Sequence, residues 1–401
     1  MKQAKGFSLI ELMISTALIT IVAGVAIGAL SQAQHVTQGI GLMANAQQNL
    51  RAGMNFMVRD LVQAGAGLPQ AGIPIPNNGA SPATSNLKRP GTGTSIATMI
   101  SFPSTWTTLP LVSPGYALGQ PATTMNPVTS AILTNGNMDI INILYADTST
   151  VDANGHYLNS FPVVATGTQT CNGTFTASGT SVHIDPNCFT FPASGPSQFV
   201  PGDLIFFTNA NGSALQYVTG VSNSTQSLSF ASGDPAGLNG TGLNFGTVVG
   251  MQNQNSSGAP NGTLPTPTIE RIYMISYYVD ANTNPQRPQL IRQVNYPTAT
   301  PSQAVAEVIE DLNFTYDITS PTAPLASYGT NGPGDATAPV LPDTASQIRA
   351  VNIFLASRSE TTYTAASSPT FFRNNLTTQV SLRALSFQAP FNTSAGVPPV
   401  P

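Results

Sequence analysis

An apolar run over residues 7–30 that contains a single carboxylate, Glu11, constrains this chain more than any other feature. A short leader with Lys2 and Lys5 precedes it and ends in Gly6. As a helix the run extends about 36 Å, enough to cross a hydrocarbon core of about 30 Å. A carboxylate at that depth costs roughly 3 kcal/mol, so it needs a counter-charge. Cleavage after Gly6 would supply one, because it frees an α-amino group on Phe7 at the same end of the segment as Glu11.

Two plainer readings compete. In an ordinary secretory signal, Lys2 and Lys5 would form the basic region and Ser31-Gln32-Ala33 the cleavage site. The apolar region of such a signal is usually about 7–15 residues, shorter than this run, and lacks an acid. A plain single-pass anchor accounts for the length and leaves Gly-Phe-x-x-x-Glu without a reason. Gly6, Phe7 and Glu11 resemble the class III signal of type IV pilins and type II secretion pseudopilins. The resemblance implies that a prepilin peptidase cuts between Gly6 and Phe7 and methylates Phe7. It also implies that Glu11 pairs with the N-terminus of a neighbouring subunit and so sets register in a fibre.

Helical patterning continues past Leu30. Val36, Ile40, Met43, Leu50, Met54, Met57 and Leu61 recur by threes, fours and sevens, with Gln47 as the polar member of the stripe. This spacing predicts an amphipathic helix with one buried face, ended near residue 64 by Gly65, Gly67 and Pro69. The expected layout is therefore a leader at 1–6, a transmembrane or fibre-core helix at 7–30, an amphipathic half at 31–64 and a head at 65–401.

The head reads as β-rich. Strands are expected at 139–145, 161–166, 181–184, 203–209, 216–221, 227–230, 269–280, 289–295, 305–316, 347–357 and 377–387, each short, β-branched or aromatic and bounded by turn residues. Val200-Pro201-Gly202-Asp203 has turn chemistry and leads into Leu204-Ile205-Phe206-Phe207, an apolar run suited to burial on both faces. Residues 68–127 are rich in Pro, Gly, Ser, Thr and Asn and read as an extended surface excursion, partly wrapped on the head, with one possible strand at 96–102. The fold class is α+β: a long N-terminal helix packed on a β-rich, pilin-like head. The helix segment 49–61, with Arg51, Arg59 and Asp60, and the region 269–387, with Arg349, Arg358 and Arg383, resemble PilW-type minor pilins and the J-type pseudopilin. Arg59 and Asp60 are expected to bond to loops of the head or to lie on a solvated helix face.

Composition bears on compartment and partners. Charged residues make up 7% of the 401-residue chain and the net charge is −4, against roughly 25% charged in ordinary soluble domains. No basic patch suits a phosphate backbone, so nucleic acid is not an expected partner. Cys171 and Cys188 are expected to pair once exported, a closure worth about 3 kcal/mol. His183 and Asp185 beside them are too few for a metal site. Glu307, Glu310 and Asp311 form an acidic cluster, and Asp147, Asp152, Asn154 and Gly155 faintly resemble a calcium loop without its closing Glu. The first reads as a solvated turn. Trp106 reads as a packing residue.

No nucleophile elbow, zinc helix or phosphate loop occurs. No catalytic residue, metal or cofactor is expected. The expected partners are prepilin peptidase, other minor and major pilins or pseudopilins, and inner-membrane lipid. The resemblance implies a minor pilin acting in fibre initiation near the tip. A J-type pseudopilin of a secretion system is the nearest alternative, and a pilus-anchored adhesin or glycan-binding module is an alternative of another class.

Overall fold

A computed structural model of the chain describes residues 8–76, 87–93, 95–103, 106–152, 154–155, 158, 173–176, 178–186, 189–192, 197–240, 246–253, 268–296, 302–318, 326–328, 345–365 and 368–386. A single helix, Leu9–Gln63, opens it. Ser8 caps the helix: its hydroxyl accepts from the Glu11 N–H (3.4 Å), and the Glu11 carboxylate accepts from the Ser8 N–H (3.1 Å). This reciprocal box satisfies two of the donors that a helix start leaves free. After Ala64 the chain turns through Gly65 and Gly67, both with positive φ, and the Gly65 N–H donates to Leu144 O (2.8 Å).

The helix has two environments. Its apolar first half is fully exposed, whereas Ala46, Leu50, Gly53, Met54, Met57, Asp60 and Leu61 are buried against the body. Burial thus begins at Ala46, and the expected stripe packs from Leu50 onward. Val36, Ile40 and Met43 remain exposed because the body does not reach that far along the helix. At Gly53 the helix comes so close that a β-carbon would lie 2.8 Å from Leu290 Cδ2 and 3.1 Å from Ala306 Cβ.

The body is α+β with antiparallel pairing throughout the described strands. Its main sheet has seven strands. Thr268–Asp280 is the spine. Ile140–Ala146 lies along one edge, pairing with residues 272–277. Along the other edge Leu204–Asn209 pairs with residues 268–272, and Gln289–Val294 pairs with residues 275–280. The spine strand therefore forks, and its second edge is shared by two different strands. Gly212–Tyr217, Val112–Gly115 and Gln303–Glu307 extend the sheet outward. A second sheet runs Ala326–Tyr328, Ile309–Ile318, Ile348–Arg358, Arg373–Ser381, and a third runs Gly220–Ser222, Ser227–Ser229, Ser181–Ile184, Gly173–Phe175.

Leu204, Ile205, Phe206 and Phe207 are all buried, as their continuous apolar run implied. Leu204 and Phe206 belong to the main core, while Ile205 and Phe207 belong to a second core rich in phenylalanine. One strand walls both cores because successive side chains point to opposite faces.

Several expectations are corrected. Among the described residues of 68–127, Ile73, Leu87, Arg89, Phe102, Leu109 and Val112 are buried, so these parts are built into the body rather than only partly wrapped on it. Part of this segment covers the sheet face opposite the helix, where Asn142 Nδ2 donates to Pro90 O (3.1 Å) and to Ser276 Oγ (2.6 Å). Ile96–Thr98 is a 3-10 turn rather than part of a strand. The 305–316 strand is broken at Val308, which has a φ of 58°. The 216–221 strand divides into Gly212–Tyr217 and Gly220–Ser222, and the last strand is Arg373–Ser381, ahead of the expected position. The expected strand at 161–166 lies outside the described residues.

Candidate functional site

The long helix carries the first candidate feature. Its apolar stretch is long enough to cross a membrane, and none of that stretch is buried. Glu11 is the only acidic residue of the first turn and stands exposed at the start of the apolar stretch. Gly6 and Phe7, the expected cleavage and methylation positions, lie outside the described residues. So do Cys171 and Cys188.

The second feature locks this helix to the head. Asp60 is buried, and its Oδ2 accepts from the Tyr277 hydroxyl (2.6 Å) and from Arg292 Nε (2.6 Å). Tyr277 and Arg292 face each other across the spine strand and its neighbour. The partners of Asp60 are thus strand residues and not the loops the sequence suggested. Burial pushes the Tyr277 hydroxyl pKa well up, and the adjacent Asp60 charge adds to the shift. For Arg292 burial acts against the charge, but the Asp60 hydrogen bond and charge outweigh it and raise the pKa. Arg59 stays largely exposed over the Phe56 ring, with its Nε 3.4 Å from Asp60 Oδ1. Arg51 is exposed.

The third feature is a cleft of about 380 Å³ at the fork of the main sheet, just beyond the Asp60 clamp. Arg271 is held there by Asp147 (3.2 Å) and Asp203 (3.8 Å) and donates to Gln198 O (2.6 Å). Its second amino group donates to the Tyr273 hydroxyl, which donates in turn to Asp147 Oδ2 (2.8 Å). Tyr145 meets Tyr273 edge-on, with ring centroids 5.6 Å apart. Burial pushes the Tyr145 hydroxyl up to about 12, helped by Asp60. The two carboxylates diverge. Burial opposes the Asp147 charge, yet hydrogen bonds from Ser149, Thr150 and Tyr273 overcome it and lower its pKa. Burial raises the pKa of Asp203 against the pull of Arg271. Sequence reading missed this cleft, since its members come from four separated segments.

The acidic groups that had invited a cation reading are already engaged. Glu307 is paired with Arg287 (2.6 Å), and Glu310 with Arg358 (3.3 Å) and Arg373 (2.8 Å). Glu310 is buried, so the cluster is not the solvated turn expected from its spacing. Asp147 serves Arg271, while Asp152 accepts from the N–H groups of Asn154 (2.8 Å) and Thr190 (2.9 Å). Among the described residues no three acidic, histidine or cysteine side chains converge as a metal site. Trp106 stacks on Phe102 at 5.9 Å, and Arg89 lies between them and the sheet.

The family model described as the prokaryotic N-terminal methylation motif matches residues 1–27. No curated protein and no solved structure matches the chain. With the long apolar helix, this motif is a class III prepilin-type signal. A signal of this kind, joined through one helix to a β-rich body, supports a protein of the type IV pilin and pseudopilin class. The motif implies processing by prepilin peptidase and assembly with other pilins, and the apolar helix fits membrane anchoring.

Proposed function

We propose that this chain is a minor pilin of the PilW type that takes part in starting type IV pilus assembly at or near the fibre tip. Its role is structural rather than catalytic. Before assembly it resides in the inner membrane with the lysine-bearing leader in the cytoplasm, in keeping with the positive-inside rule, and the head outside. After cleavage at Gly6 and methylation of Phe7, the exposed apolar helix exchanges lipid for neighbouring helices. Glu11 is the only charge in that stretch, and its partner is the N-terminus of an adjacent subunit.

The observation that carries the minor and terminal placement is the size of the body hung on one helix. Residues 65–401 hold a seven-stranded sheet, a second sheet and a separate phenylalanine-rich lobe. A head of that breadth suits an end or a decoration, where each copy has free space on one side, better than a position repeated at every step of a thin filament.

Mass spectrometry of fibres sheared from the cell surface tests this. The expected result is a peptide beginning at methylated Phe7, present at a low ratio to the major subunit. A processed peptide confined to the membrane fraction would instead favour a secretion pseudopilin. A chain that still begins at Met1, or one that begins at Gln34, would remove the assembly reading altogether.

A further inference from the structure

The fork cleft shares Arg292 with the Asp60 clamp but has no helix residue in its lining, and its origin is topological. On the shared edge of the spine strand, pairing with Leu204–Asn209 ends at Ile272 and pairing with Gln289–Val294 starts at Ile275. Asn295 closes the gap from a left-handed backbone conformation, φ 52°. Its Oδ1 accepts from Met274 N (2.9 Å), and its N–H donates to Met274 O (2.8 Å). A non-glycine residue in that conformation is strained and needs surrounding structure to hold it. The diverging strands leave the cleft between them, at a volume within the usual range for small-molecule sites.

Three properties define what the cleft can take. Its charges are balanced internally: Arg271 stands against Asp147 and Asp203, and Arg292 and Arg59 against Asp60, three of each sign. A charged ligand gains nothing net there. Its polar wall offers acceptors: Gln198 Oε1 is buried and takes no hydrogen bond among the described residues. Asp203 presents a carboxylate of which Oδ2 accepts from Val200 N (3.0 Å), leaving acceptor capacity over. An orphaned buried acceptor costs about 1–3 kcal/mol, a penalty that a donor arriving from outside would remove. The remaining wall is apolar, with Val200 37% exposed at the rim beside Val294.

The complementary ligand brings donors and an apolar C–H face without charge. A sugar ring does this. A peptide backbone also brings donors, but it would add as a strand, and the unpaired stretch of this edge is already closed by Asn295.

We propose that the fork cleft binds a neutral saccharide unit, with Gln198 Oε1 and Asp203 accepting from its hydroxyls and Val200 lying against its C–H face. This site does not depend on the fibre position proposed above, and either could fail without the other.

The test is saturation-transfer NMR on the full chain in a detergent that carries no sugar. The probes are the methyl glycosides of glucose, galactose, mannose and N-acetylglucosamine, with glucuronate and an uncharged tetrapeptide alongside. At least one neutral glycoside should give a saturable signal. Val200→Trp fills the cleft from an exposed rim position and should weaken binding at least tenfold. Gln198→Ala should weaken it severalfold and keeps the test open should the tryptophan variant misfold. Thr225→Ala, in the turn between Gly220–Ser222 and Ser227–Ser229 and outside the cleft lining, should bind as the parent does. Silence from every neutral glycoside overturns the proposal. So does unchanged binding in folded Val200→Trp, or a signal from glucuronate or the peptide alone.

Discussion

Arg292 on the main sheet and Asp60 on the long helix meet at 2.6 Å, with the carboxylate buried. In a chain whose apolar helix fits membrane anchoring, this contact is one of the places where a pull on the helix reaches the head. Tyr277 completes it from the spine strand, so one carboxylate holds the helix against two strands at once.

Asp60→Ala leaves Arg292 without its partner and the Tyr277 hydroxyl without its acceptor. Breaking a buried pair from one side costs roughly 3–5 kcal/mol. Chemical denaturation of the full chain in micelles should show a loss of that order. A loss below about 1 kcal/mol, the value of a surface pair, would mean that the clamp contributes little.

Gly53 sets how closely the helix approaches the sheets. Alanine gains about 1 kcal/mol of helix propensity over glycine, but a β-carbon there would stand 2.8 Å from Leu290 Cδ2. The branched side chain of Gly53→Val adds overpacking worth roughly 1–3 kcal/mol. Its thermal midpoint should fall below that of Gly53→Ala, and the reverse order would show that the interface yields.

Asp147 and Asp203 flank the same arginine, and their pH effects have opposite signs. Asp147 has a pKa lowered from 3.8, so its contribution is present above that value and lost as pH falls through the lower folded one. Asp147→Asn should be less stable than the parent at pH 7, and the gap should close as pH drops below 3.8. Asp203 has a raised pKa, so its contribution is full below 3.8 and lost as pH rises through the folded value. Asp203→Asn should therefore match or exceed the parent at pH 7. Denaturation midpoints measured from pH 3 to pH 7 would expose a wrong sign for either.

Glu11→Ala removes the carboxylate from the apolar stretch and relieves its insertion cost. The variant should fractionate with the membrane as the parent does, while its share of sheared fibre, measured by immunoblot, should fall severalfold. Normal incorporation would sink the pairing role. Loss of membrane association would point to an insertion defect instead.

Most of the architecture was legible locally. The helix, its exit glycines, the doubly buried 204–207 strand and the Thr268–Asp280 hairpin partner all follow from periodicity and turn chemistry. Where local reading failed, a distant contact had taken over. Arg89, in a segment that reads as surface loop, is buried with its NH1 donating to Pro114 O (2.5 Å) and its guanidinium 4.6 Å from the Phe102 ring. Glu310 reads as part of a solvated turn until Arg358 and Arg373, from two other strands, reach it.

The amino-acid order alone settles the signal, the membrane-length helix and the α+β character, because each rests on residues close along the chain whose spacing repeats at 3.6 or 2. The helix–head clamp and the fork cleft were decided only by the tertiary structure. Asp60 and Arg292 are 232 positions apart, and the cleft exists because two strands share one edge of a third. Pairing over such distances depends on which strand reaches the edge first and fits it best, and no local pattern encodes that choice.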